Sequence, residues 1–287
     1  MKGRRHRHIA CLVKVDDLVT DEGDSVEVFE LRVGALKQQR LKEWAKHFRE
    51  HYMLDDIIDS MMEGTPHSTR KDYLLSAVFP TLGGWGPATR SGDFTEILIS
   101  DFVESTLDFW VPRTRYRLKQ IPNESPKGSD IVGLKFVPGS PKKHSPKDVL
   151  LTFEVKGLMQ PDKKARRLQD AINDAKKDSH DDAKKGDAKG AFRVGLTLNA
   201  LKHRYIDSQD EDAWKAVQRF QDPISRPFVH QIGASAVFCN SAYDESTITS
   251  VTTKAYATGA KPKLMIVKGD ELMKVIHTMY EMAANEA

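Results

Sequence analysis

The stretch Asp148-Val149-Leu150-Leu151-Thr152-Phe153-Glu154-Val155-Lys156-Gly157 constrains this chain more than any other. Its centre is an unbroken run of apolar and β-branched residues, the composition of a strand buried on both faces. The run ends in a glutamate and a lysine two positions apart. Side chains alternate along a strand, so Glu154 and Lys156 project to one face and Val155 to the other. An acid and an amine side by side at the end of a core strand are either an ion pair at a sheet rim or working groups. Periodicity alone leaves both readings open. The acid-x-lysine spacing recurs at Asp162, Asp174, Asp182 and Asp187, but in helical or loop sequence, where a spacing of two does not share a face.

The sequence around that strand predicts a mixed α/β order. Residues 9–33 alternate short apolar runs about the acidic turn Asp21-Glu22-Gly23-Asp24, a β-hairpin pattern. From Leu36 the spacing becomes helical, with Leu41, Trp44, Ala45 and Phe48 on one face, and a second helix is expected over Leu54 to Met62. After an apolar segment from Tyr73 to Phe79, the break Gly83-Gly84-Trp85-Gly86-Pro87 marks a boundary. It divides an accessory N-terminal α+β region (residues 1–82) from a main domain (residues 83–287).

The main domain is expected to open with a helix at Asp93, where Asp93 and Glu96 have capping-box spacing. Strands follow at Arg113 to Ile121, Asp130 to Val137 and Val149 to Val155. A helix from Pro161 to about Asp178 comes next, then strands at Phe192 to Leu198, Ala234 to Asn240 and Lys263 to Val267. Between the last three lies a short helix over Asp212 to Phe220, and a terminal helix spans Leu272 to Ala284.

Composition narrows the function classes. The 44 Lys plus Arg against 41 Asp plus Glu leave a formal charge of only +3, which permits a polyanionic partner without demanding one. The two cysteines, Cys11 and Cys239, sit in apolar runs without metal or redox spacing and read as buried thiols of a reducing cytosol. No apolar stretch approaches the ~20 residues a membrane helix needs, and the apolar run after the basic start is shorter than the ~7–15 residues of a signal h-region. A cytoplasmic protein is expected. There is no P-loop, no complete G-x-G-x-x-G, no G-x-S-x-G and no zinc-ligand spacing, so any ATP-driven motor would be a separate protein.

Asp130 gives the Glu154–Lys156 pair a context. It follows Lys127-Gly128-Ser129 and opens the strand expected beside the one carrying Glu154, so a hairpin-like pairing would bring the two carboxylates together. Converging carboxylates repel unless a cation sits between them, and hard oxygen ligands suit Mg²⁺. A turn residue bonded to its own backbone would account for Asp130 alone, but not for its neighbours.

A helix bearing Glu96, Gly128-Ser129-Asp130 opening a strand, and Glu154-Val155-Lys156 ending the next one together resemble the PD-(D/E)xK nuclease superfamily, with Ser129 where the literal proline would stand. Arg90-Ser91-Gly92-Asp93-Phe94-Thr95-Glu96-Ile97-Leu98, the Lys127 to Asp130 turn and Phe153-Glu154-Val155-Lys156-Gly157 are more closely similar to the DUF1837 family. Its best-described members are the HamA nuclease subunits of the Hachiman anti-phage system, which partner a helicase. The resemblance covers roughly residues 80 to 285. It implies a restriction-endonuclease-like core (helix, three-stranded mixed sheet, helix, strand) that cleaves DNA phosphodiesters with Mg²⁺, or with Mn²⁺ in its place. Asp130 and Glu154 would be the metal ligands, Lys156 would assist the attacking water, and Glu96 would be the acid from the first core helix. Gln169 could touch a phosphate, but its usual aromatic companion is replaced by Asn173.

The basic cluster Lys163, Lys164, Arg166 and Arg167 would clamp a DNA backbone beside the site or be an ordinary solvated helix face. Two other functions fit the same residues: a catalytically inert DNA-binding or helicase-regulating subunit, and a stand-alone repair or restriction nuclease.

Overall fold

The run from Val149 to Leu158 does form a strand, and in the computed structural model it lies one place in from the edge of a six-stranded sheet. The structure describes residues 3–117, 119–138, 144–159, 166–179, 189–254, 256 and 261–287. The strands are β1 (Leu12–Val19), β2 (Ser25–Leu31), β3 (Ile131–Lys135), β4 (Val149–Leu158), β5 (Val229–Cys239) and β6 (Lys263–Gly269). Their order across the sheet is β1-β2-β6-β5-β4-β3. The two outer pairs, β1/β2 and β3/β4, are antiparallel, and the three inner pairings are parallel, giving a mixed α/β sheet.

Both faces of the sheet are covered, which is why β4 reads as a continuous apolar run and not as an alternation. The longer helices are α1 (Gln38–Glu50), α4 (Gly86–Ser105), α5 (Arg167–Lys176), α6 (Lys189–Asp207), α7 (Glu211–Gln218) and α9 (Leu272–Asn285). Short turns of helix α2 (Ile58–Met62), α3 (Arg70–Tyr73) and α8 (Glu245–Thr249) lie between them. Leu151, Phe153 and Val155 of β4 point into a core shared with Trp44 and Phe48 of α1, Phe94 and Leu98 of α4, and Ile276 and Tyr280 of α9. Leu150 points the other way, among Val194, Leu198 and Leu201 of α6 and Val217 of α7. Leu158 meets Leu168, Ala171 and Ile172 of α5. Glu154 and Lys156 share that second face and so emerge between β3, α5 and α6.

The N-terminal residues, set apart in the sequence, supply β1 and β2 to this same sheet. Val26 to Glu30 pair in parallel with Leu264 to Lys268, and α1 packs into the common core.

Four expected elements fold otherwise. Arg113 to Ile121 forms no strand among its described residues; a single bridge, Trp110 to Leu134, extends the sheet there. Its basic side chains bind acids of α4 instead: Arg113 holds Glu104, Arg115 holds Glu96, and Lys119 holds Asp93. The main unit therefore runs helix, two strands, three helices, strand. Phe192 to Leu198 lies inside α6, because Val194, Leu198 and Leu201 recur at helical spacing and are buried together while Leu196 faces out. The helix expected at Asp93 starts at Gly86, with Pro87 in its first turn, where a missing N–H costs nothing. Asp93 is thus not a cap. It is buried in the helix interior, accepting from Lys119 Nζ at 2.6 Å and from the Tyr52 hydroxyl at 2.7 Å. The helix expected from Pro161 begins at Arg167, and residues 160–165 lie outside the described ones.

Candidate active site

The antiparallel register of β3 and β4 pairs Ile131 with Phe153, so Asp130, one step earlier, stands opposite Glu154. Two hydrogen bonds fix the pair. The Asp130 amide donates to Glu154 Oε1 at 3.3 Å, and the Val155 amide donates to Asp130 Oδ2 at 3.0 Å. Gly128 makes the preceding turn possible: its φ of +103° lies in the region that favours glycine, and an added Cβ would meet Thr197 Oγ1 at 2.7 Å.

Glu96 reaches the same place from α4, joined to Asp130 through a guanidinium. Arg115 Nε donates to Glu96 at 2.9 Å and Arg115 Nη2 to Asp130 at 3.1 Å, while the Tyr116 hydroxyl also donates to Glu96. A second arginine works on the other side. Arg193 of α6 donates to Glu154 Oε1 at 2.8 Å and to Asp178 Oδ1 at 3.0 Å. Lys156 points along the same face as Glu154 but forms its ion pair with Asp174 of α5 at 2.6 Å. The sequence-derived residues Glu96, Asp130, Glu154 and Lys156 are therefore gathered at one rim of the sheet. Glu96, Asp130 and Glu154 do not form a set whose oxygens all lie within 4.8 Å of one another; Arg115 stands between the first two.

The electrostatics of this cluster are those of too many acids in too little water. Burial, then the charge of Asp130, push the carboxyls of Glu96 and Glu154 up to about 8, against the opposing pull of Arg115 and Arg193. Asp178 is pushed up to about 6 by burial, which Arg193 offsets only in part. Burial works against the charge of Lys156, but the Asp174 bond and the charges of Asp130 and Glu154 outweigh it, so its pKa rises and it stays an ammonium. A divalent ion fits such a set: the donors are all oxygen, and a cation relieves the repulsion that drives two of them toward protonation.

The surroundings are cationic. A cavity of about 340 Å³, which shares Arg115 with the acids, is lined also by Lys119, Glu124, Lys127 and Arg204. A smaller one of about 50 Å³ joins Asp130 to Arg115, Lys127 and Arg204. A cavity of about 700 Å³ opens at the other end of β4 near Val149 and Val229 and is lined by none of these acids.

Of the basic residues singled out after the motif, Arg166 donates to the Ser250 carbonyl, Arg167 pairs with Asp170, and Lys163 and Lys164 lie outside the described residues. Gln169 is committed at both ends of its amide. It donates to Asn173 and the Thr252 carbonyl and accepts from the Thr252 amide. Sequence reasoning missed Arg115, Tyr116, Arg193, Asp174 and Asp178. For Arg115 the signal was present, in the alternating arginines 113, 115 and 117. For Arg193 it was hidden by the misread helix.

No curated protein and no solved structure gave a match to this chain. The family model HamA matches residues 7–283, nearly the whole length, and the chain belongs to the HamA family.

Proposed function

We propose that this chain is a Mg²⁺-dependent DNA nuclease, the effector of an anti-phage defence system, built on a restriction-endonuclease-like core and held inactive by a helicase partner with which it acts. Membership of the HamA family supports the defence role. The single observation that carries the nuclease reading is the convergence of Glu96, Asp130 and Glu154 with Lys156 at one sheet rim.

In this reading Asp130 and Glu154 hold Mg²⁺ (Mn²⁺ would serve), which when bound supplies positive charge to polarise the scissile phosphodiester. The chain's own residues supply the rest. The backbone amide of Val155 and the Arg115 guanidinium orient Asp130, and Arg193 orients Glu154. Glu96 contributes a further carboxyl on the other side of Asp130, tied to it through Arg115. Lys156, kept charged, would donate to the phosphate oxygens as negative charge builds. Lys127 and Arg204 line the approach and suit phosphate contacts.

The proposed resting state is compatible with the ion pairs of the site: Arg115 bonds Asp130, Arg193 bonds Glu154, and Asp174 holds Lys156. The same observation favours a second reading, an inert DNA-binding or helicase-regulating subunit in which the arginines are permanent. Reconstituting the defence system in cells with Glu154→Ala separates the two. Loss of phage protection with the partner complex still formed supports the nuclease; full protection supports the inert subunit.

A further inference from the structure

Four of the chain's ten histidines converge on one aspartate that is not among the acids of β3 and β4. His6 and His8 flank the start of a short 3₁₀ turn, His47 and His51 lie one turn apart at the end of α1, and Asp101 is on α4. The Asp101 side chain is 1% exposed. His8 Nε2 lies 2.9 Å from its Oδ2 and His47 Nε2 lies 2.8 Å from its Oδ1. His51 and His6 place their Nε2 atoms 3.9 and 4.0 Å from that same Oδ1. His47 Nε2 and His51 Nε2 are 3.3 Å apart. A tetrahedral ion with bonds of roughly 2.0–2.1 Å spaces its ligand atoms at about 3.4 Å, so these separations bracket what such an ion requires. One ligand atom each from His6, His47 and Asp101 falls within 4.8 Å of the others, and His47, His51 and Asp101 come equally close.

Arg113 occupies the cation position. Its Nη1 lies 3.0 Å from His47 Nδ1, its Nη2 contacts His6 Nε2 and Glu104, and Nη2 is 3.8 Å from Asp101 Oδ1. A histidine that binds an ion through Nε2 carries its proton on Nδ1, where it would face the Arg113 donor. Ion and guanidinium therefore exclude each other. A cavity of about 250 Å³, lined by His6, His8, His47 and Trp44 among others, gives access from solvent.

We propose that His6, His47 and Asp101, completed by His51 or His8, form a transition-metal site of zinc type whose ion replaces the Arg113 guanidinium. Mostly imidazole ligands with one carboxylate select zinc-like ions over Mg²⁺. The ion would tie the N-terminal segment, α1 and α4 together, a structural role independent of DNA cleavage.

The test is titration of EDTA-stripped, re-dialysed full-length protein with Zn²⁺ by calorimetry, and with Co²⁺ by visible absorption. The expected result is about one equivalent bound with a tetrahedral Co²⁺ spectrum, retained in Glu154→Ala. His6→Ala and His47→Ala should lose it, with thermal melts confirming folded protein, while the exposed His203→Ala keeps it. Arg113→Gln, which removes the competing cation, should lower Kd by about tenfold or more. Absence of binding to the wild type, or binding undiminished in both His6→Ala and His47→Ala, would overturn the proposal and identify the cluster as a hydrogen-bonded network only.

Discussion

Asp130 cannot turn away from Glu154, because the Val155 amide and Arg115 each hold one of its oxygens. That rigidity has a measurable cost in proton binding. Glu96 and Glu154 titrate near 8 in the folded chain and near 4.5 when unfolded, so between those pH values the folded state carries protons that the unfolded state has lost. Stability in EDTA should therefore fall as pH rises from about 5 to 8, and Glu154→Gln should flatten the fall in Tm. Mg²⁺ binding at neutral pH should release protons, read as a buffer-dependent calorimetric enthalpy; no dependence on buffer would contradict the crowded-acid description. Lys156→Ala should abolish cleavage yet move stability by less than about 1 kcal/mol, since its pair with Asp174 is over a quarter exposed at each partner. At this scale the sequence was informative about the acids and the lysine, since strand alternation and a Gly-Ser-Asp turn are local. Arg115 and Arg193 were not legible as site residues, because their partners lie across the tertiary fold.

Elements position these residues through a few demanding contacts. Gly128→Ala puts a side chain at positive φ and against Thr197, in the turn that delivers Asp130. It should cost on the order of 1–3 kcal/mol and reduce cleavage more than DNA binding. At the other end of β4, Asp148 and Arg219 form a wholly buried ion pair at 2.8 Å, and Arg219 also donates to the carbonyls of Ser145, Arg226 and Pro227. Arg219→Ala removes the buried charge partner of Asp148 and three carbonyl contacts, and should destabilise by about 3–5 kcal/mol in chemical denaturation. The N-terminal hairpin, β4, β5, β6 and α9 were legible because their apolar patterns are long and their breakers clear. The segment from Phe192 failed because Gly, Val and Thr disguise a helix whose buried stripe is visible only over three turns, and Arg113 to Ile121 failed because its alternation serves ion pairs with α4 and not a sheet.

Across the whole molecule, one sheet joins the hairpin at residues 12–31 to the strands that carry the acids, and Trp44, Phe48 and Tyr52 share a core with Phe94 and Tyr280. A chain lacking residues 1–82 would expose the edge of β6 and half of that core, so it should be aggregated or protease-sensitive where the full chain resists. The glycine-rich break at 83–86 suggested a boundary from sequence, and pairing between β2 and β6, more than 230 residues apart, is beyond what local pattern conveys. The proposed function turns on the acids of β3 and β4, and the most direct measurement is cleavage of plasmid DNA by the purified chain with the proposed helicase partner and Mg²⁺. Nicking or linearisation by the wild type that disappears with EDTA and with Glu154→Ala is the expected result. An uncut plasmid under every condition, or equal cutting by Glu154→Ala, would contradict it.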